Sequence, residues 1–97
     1  MPPAADDVVA FHARVSGRVQ GVGFRYAALE RARFLALVGW IRNDDDGSVE
    51  TRFEGSARAC EAYSAWLRRG PPGARVDGVS FQRSAPAGVW TDFSIEY

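Results

Sequence analysis

Residues 16–25, SGRVQGVGFR, are the stretch of this chain whose residue types and spacing suggest chemistry. Gly17, Gly21 and Gly23 let the backbone turn tightly and aim successive N–H groups into one hollow. A helix starting at the far end of the loop adds the partial positive charge of its N-terminus. Such an arrangement is a phosphate-sized anion cradle. Arg25 sharpens the reading, because it falls in the first turn of the predicted helix, where the dipole disfavours a cation by ~0.3–1 kcal/mol. A bound anion would offset that cost. Between Arg14 and Leu29 there are three arginines and no carboxylate, although first turns normally favour acids, so the local field is expected to be positive. The alternative is a solvated surface Arg25 behind a loop whose glycines only turn the chain, and the residues alone leave both open.

Asn43 supplies a geometric test. A right-handed β-α-β crossover makes the first two strands parallel, so the glycine loop and the residue closing the second strand meet at the same edge of the sheet. An asparagine amide donates and accepts together, and it can hold a water beside an anion bound at Arg25. A plain hairpin-turn asparagine is the competing reading.

The elements that must position these residues follow from periodicity. Residues 8–15 alternate, with Val9, Phe11, Ala13 and Val15 on one face and His12 and Arg14 on the other. After the loop, Phe24, Ala28, Ala32 and Leu35, with Leu29 beside them, form a helical apolar stripe. Residues 37–41 read as a second strand. The turn formers Asn43, Asp44, Asp45, Asp46 and Gly47 lead into a third, where Val49, Thr51 and Phe53 alternate with Glu50, Arg52 and Glu54. Ser56 caps a second helix carrying Cys60, Tyr63 and Leu67 until Gly70, Pro71 and Pro72 stop it. A strand over residues 75–81 and a short edge strand over 93–97 complete the order βαββαβ plus one. That order predicts an α+β, ferredoxin-like sandwich: one mixed, mainly antiparallel sheet with two helices on one face. Residues 1–7 are expected to be a flexible leading segment, and residues 8–97 a single domain.

Composition excludes several functions. The chain has 97 residues, 46% hydrophobic and 25% charged, enough for one core. Twelve basic residues balance twelve acidic ones, so the broad positive surface that drives nucleic-acid or anionic-membrane binding is missing. All basic residues are Arg; without lysine, P-loop, Schiff-base and Ser-Lys chemistries are out. One cysteine and one histidine support neither an internal disulfide nor a structural zinc site, and a reducing compartment fits. The start has no signal-peptide character, and the longest apolar stretch, residues 34–41, is less than half a membrane span, so a cytoplasmic, soluble protein is expected. His12 is read as an exposed sheet residue and Cys60 as core. The Asp44–Asp46 run cannot be an EF-hand loop, since Arg42 and Phe53 would fall at ligand positions.

Two motifs, GRVQGVGFR at residues 17–25 and GWIRNDDDGSVE at residues 39–50, resemble the signatures of the acylphosphatase family. The resemblance extends through GPPGARV at residues 70–76 and the closing FSI at 93–95. It implies the same βαββαβ sandwich and hydrolysis of carboxyl-phosphate anhydrides with no metal, cofactor or covalent intermediate. Carried over by position, Arg25 matches the family's phosphate-binding arginine and Asn43 its water-orienting asparagine. The backbone amides of Gln20, Gly21, Val22, Gly23 and Phe24 would hold phosphate oxygens. Inorganic phosphate or sulfate would occupy the same cradle, and a monomer is expected. Ala36 departs from the pattern, standing where relatives commonly have glycine; if its backbone is left-handed, alanine costs ~1 kcal/mol there. Gly78 should interrupt the fourth strand, and Glu96 falls where basic residues are common.

The main reading is therefore a stand-alone acyl phosphate hydrolase. The alternative is a non-catalytic phosphate- or acyl-phosphate-binding module, or a unit cut from a larger acyl- or carbamoyl-phosphate enzyme. The presence of both Arg25 and Asn43 favours the first, and a start at Met1 with an end at Tyr97 is expected of a complete unit.

Overall fold

Alternating apolar residues carry β1 (Val8–Arg18), which in the computed structural model, describing residues 3–97, is the longest strand and pairs on both sides. The chain continues as α1 (Phe24–Phe34), β2 (Val38–Asn43), β3 (Val49–Ser56), α2 (Ala57–Arg69), β4 (Arg75–Ser84) and β5 (Phe93–Ile95). The sheet order is β4-β1-β3-β2-β5. All pairs are antiparallel except β2 with β5. This is the expected ferredoxin-like arrangement with a short fifth strand.

Both β1 and β2 run antiparallel to β3, which lies between them, so they are parallel to each other and their C-terminal ends share one edge of the sheet. Several strand ends move outward from the sequence reading, while the fifth strand stops at Ile95, short of the expected Tyr97. The first strand reaches Arg18 instead of ending at Val15, and the second reaches Asn43, because Arg42 and Asn43 pair with Glu50 and Val49. The fourth strand runs on to Ser84. Gly78 does not interrupt it: the ladder shifts register between Ser16 and Gly17, leaving Asp77 as the extra residue of a bulge.

The core lies between the sheet and the two helices. Val9, Ala13, Val15, Ile41, Val49, Phe53 and Phe93 come from the sheet, Phe24, Ala28 and Ala32 from α1, and Cys60, Tyr63, Trp66 and Leu67 from α2. Tyr63 stands at its centre, edge-on to Phe53 at 4.7 Å and to Phe93 at 5.8 Å. Its hydroxyl shares a hydrogen bond with Thr51 Oγ1 at 3.1 Å, and burial pushes its phenol pKa well up. Cys60 is buried as expected, its thiol raised to about 11 by desolvation.

Helix ends follow their residues. Ser56 Oγ accepts from the Ala59 N–H at 3.1 Å, the expected cap of α2. At the end of α1, Leu37 N–H bonds to Ala32 O and Ala36 N–H to Arg33 O, a Schellman motif that puts Ala36 at φ 58°, the left-handed region.

The leading segment expected over residues 1–7 extends onto Met1 and Pro2, which lie outside the described residues. Within it, the Ala5 and Asp7 carbonyls accept from the N–H groups of Arg58 and Ala57, at 3.2 and 2.9 Å.

The open face of the sheet departs from a simple polar alternation. Glu50 and Glu54 are buried there, only 6% and 3% exposed, although neither faces the helices. Glu50 accepts from His12, Arg14 and Arg42. Glu54 is covered by the loop before β5: the N–H groups of Ala87 and Gly88 donate to it, as does Arg52, whose guanidinium stacks on Trp90 at 5.2 Å. His12 is thus half-buried against Glu50 at 2.7 Å instead of simply exposed.

Candidate active site

The loop leaving β1 turns through Gly21 at φ 74° and Gly23 at φ 76°, conformations that a side chain would strain. A Cβ at either position would meet nothing within 4 Å, so the glycines are there for backbone direction, not for lack of space. Gly23 is the N-cap of α1, and no side chain caps the helix. The first satisfied N–H of the helix is that of Ala27, bonded to the Gly23 carbonyl at 3.1 Å. Among the described residues, the N–H groups of residues 20–26 find no acceptor in the protein. A row of free donors at a helix start is an anion site by geometry and by dipole.

Arg25 is the second residue of that helix, whose first turn holds no acid. Among the described residues the arginine ion pairs engage Arg14, Arg33, Arg42, Arg52 and Arg75, and Arg25 is outside them. Its guanidinium carbon lies 5.2 Å from the ring centroid of Tyr97. The Tyr26 hydroxyl beside it raises the Tyr97 phenol above its ordinary value, while the charge of Arg25 works the other way.

Asn43 ends β2 on the helix-facing side, in register with Ile41. Its Oδ1 is buried and has no hydrogen-bond partner. A buried acceptor without a donor costs ~1–3 kcal/mol, a cost that a bound water or ligand N–H or O–H would remove.

Val19, Gly21, Gly23, Phe24, Arg25, Tyr26 and Asn43 line one small hollow of about 110 Å³. Larger hollows, of about 260 to 720 Å³, lie elsewhere among the described residues and contain none of these groups. Size ranks them higher, but the small one alone joins free amides, an uncompensated cation and an unpaired acceptor.

Two of the sequence-named residues do not line it. Val22 packs against the core. Gln20 turns its side chain to the β2–β3 turn, donating from Nε2 to the carbonyls of Asp44 at 2.8 Å and Ser48 at 2.9 Å. The expected positive field is also narrower than three arginines. Arg14 bonds Asp44 at 2.7 Å and Glu50 at 3.0 Å on the open face, so of the three it is Arg18 and Arg25 that have no carboxylate partner among the described residues. Sequence reasoning passed over the Gln20 brace and the tyrosines flanking Arg25. No local pattern announces a side-chain bond spanning 24 residues, or a C-terminal ring reaching back to α1.

Residues 11–95 match the family model described as Acylphosphatase. The chain belongs to the acylphosphatase family. The acylphosphatase of Methylococcus capsulatus is 48% identical over 84 residues, 87% of this chain and 91% of that protein. That of Paraburkholderia xenovorans is 48% identical over 81 residues, 82% of this chain and 84% of that protein. The crystal structure of the Bacillus subtilis acylphosphatase superposes with a TM-score of 0.88 at 37% identity, covering 92% of this chain and 99% of that one. The acylphosphatase match thus reaches every strand and helix of the sandwich, short of the first three residues of β1, and includes the sheet edge where β1 and β2 end.

Proposed function

We propose that this protein hydrolyses acyl phosphates to a carboxylate and inorganic phosphate, with Arg25 and Asn43 as its catalytic residues. The observation that carries the reading is the meeting, around one phosphate-sized hollow, of unsatisfied helix-start amides, the unpaired Arg25 and the partnerless Oδ1 of Asn43.

In this reading the phosphoryl oxygens accept from the amides of Gln20, Gly21, Val22, Gly23 and Phe24 and from the Arg25 fork, whose charge-assisted bonds contribute ~1.5–3 kcal/mol each. Asn43 Oδ1 accepts from a water and aims its oxygen at phosphorus. The new O–P bond forms as the P–O bond to the acyl carboxylate breaks, and the electron pair leaves with the carboxylate. One water proton passes to phosphate or solvent. An acyl phosphate is already activated, so positioning and charge stabilisation, worth up to ~7–11 kcal/mol for positioning, suffice without a strong base.

Every group used comes from one chain, so the proposal includes no metal, cofactor or second copy. A reducing cytoplasm suits the protein's single, buried, free cysteine. No helix among the described residues is long and apolar enough to cross a membrane.

The test is phosphate release from benzoyl phosphate at neutral pH in excess EDTA, by the wild-type chain and by Asn43→Ala. Fast release that the variant loses is expected. No release from the wild type, with inorganic phosphate still bound at Arg25, would overturn the enzyme reading and leave an anion-binding module.

A further inference from the structure

A hollow of about 720 Å³ opens between α2 and the β1–β4 half of the sheet, and the proposed hydrolysis makes no use of it. Phe11 and Phe81 give it an apolar floor, and Arg58, Arg68 and Arg83 line it too. Phe11 is seven residues from Arg18 along β1, about 23 Å at ~3.3 Å per residue, so this hollow is separate from the glycine loop.

Its charge is unbalanced. Among the described residues no ion pair includes Arg58, Arg68 or Arg83, and Glu61 is the one carboxylate lining the hollow. In a chain of zero formal charge, that is a local cationic excess. Arg58 also repeats the anomaly of Arg25: it sits in the first turn of a helix that has no acid there. Here, however, the helix start is already capped. The N–H groups of Ala57, Arg58 and Ala59 bond to Asp7 O, Ala5 O and Ser56 Oγ, so an anion would be met by guanidinium groups and not by backbone amides.

The arginines are also placed for recognition and not only for solubility. The Arg68 guanidinium carbon lies 4.7 Å from the Phe81 ring centroid. Stacking leaves the N–H edge of a guanidinium free for a planar acceptor in its own plane, which suits a carboxylate. The volume falls within the ~300–1,000 Å³ of small-molecule sites, and an apolar floor with a few convergent polar groups is their usual make-up.

We propose that this hollow binds a small organic carboxylate, its apolar body on Phe11 and Phe81 and its carboxylate held by Arg68 and Arg83. The site is independent of hydrolysis at Arg25 and stands or falls without it.

The test titrates the full chain with 4-phenylbutyrate and with its neutral amide, following backbone amides by NMR and affinity by calorimetry. Saturable binding that shifts residues around Phe11 and Phe81, and leaves Gly21 to Arg25 unmoved, is expected. The neutral amide should bind at least ~10-fold more weakly, and Arg68→Gln/Arg83→Gln should lower affinity for the carboxylate at least ~10-fold, as loss of charge-assisted bonds requires. Phosphate affinity at the glycine loop should stay unchanged. If the double variant does not fold, the exposed Arg83→Gln alone should still lower affinity ~3-fold or more. Equal binding of carboxylate and amide, shifts confined to the glycine loop, or tighter binding of a polyglutamate peptide than of phenylbutyrate would each overturn the proposal.

Discussion

Gln20 Nε2 donates to the backbone carbonyl of Asp44 at 2.8 Å, which pins the glycine loop to the turn that follows Asn43. A second bond from the same nitrogen to the Ser48 carbonyl, at 2.9 Å, closes the brace across that turn. Gln20→Leu keeps the bulk and removes both donors. It should destabilise the fold by ~1–3 kcal/mol. Because a displacement of ~1 Å between reacting groups costs ~10²-fold, kcat on benzoyl phosphate should fall by about that factor. Steady-state kinetics beside a urea melt would read both, and wild-type kcat in the variant would show that the brace does not position the site.

Arg25→Gln and Asn43→Ala should fail in different ways. Removing the guanidinium takes away ground-state and transition-state contacts alike, so phosphate and substrate affinity should drop ~10-fold or more. Removing the amide should lower kcat ~10²-fold or more while phosphate affinity changes little. Calorimetry with inorganic phosphate and single-turnover kinetics separate the two, and equal binding losses in both variants would refute the division of roles.

Ala36 carries the left-handed turn that closes α1, at φ 58°. Relief of a non-glycine residue there is worth ~1–2 kcal/mol, against ~0.4–1 kcal/mol of added chain entropy in the unfolded state. Ala36→Gly should therefore stabilise by ~0.5–1 kcal/mol and raise Tm by a few degrees, at ~4–8 °C per kcal/mol for a domain of this size. Activity should be unchanged. A lower Tm in calorimetric scans would contradict the strain.

Acid should destabilise the protein through Glu50 and Glu54. Burial by itself would raise both carboxyls, but it is outweighed, for Glu50 by the bond from His12 and the charge of Arg42, for Glu54 by the amides of Ala87 and Gly88 and by Arg52. Both are held below the ordinary 4.5. A carboxyl whose pKa is depressed by folding adds stability that is present above its unfolded pKa and lost as pH falls through the folded one. Stability measured by urea melts should hold above about pH 4.5 and fall below it. Glu54→Gln should flatten that fall at the cost of lower stability at neutral pH, and an unchanged acid slope would show that Glu54 does not contribute to it.

The glycine loop, the helix that follows it and the second strand are all legible from local pattern, though not that strand's extension from Ile41 to Asn43. So is the meeting of Arg25 with Asn43, since the handedness of one crossover brings their ends of the sheet together. Ala36 is legible as a liability. The Gln20 brace is not, because its acceptors are carbonyls whose direction depends on the turn after β2. Nor are the separate fates of the arginines. In sequence Arg14 and Arg25 both stand in a stretch without acids, but one bonds Asp44 in the turn after β2 and the other lies over the ring of Tyr97.

By itself the sequence determined the order and kind of the elements, the turns between them and the residues that line the core, because periodicity and glycine placement act over a few residues. The tertiary structure decided which charges meet. His12 reaches Glu50 across 38 positions, Arg14 reaches Asp44 across 30, and the amide of Ala87 reaches Glu54 across 33. Such partners are set by strand register and by how a loop folds over a sheet face, where a slip of one residue would turn every side chain to the other side.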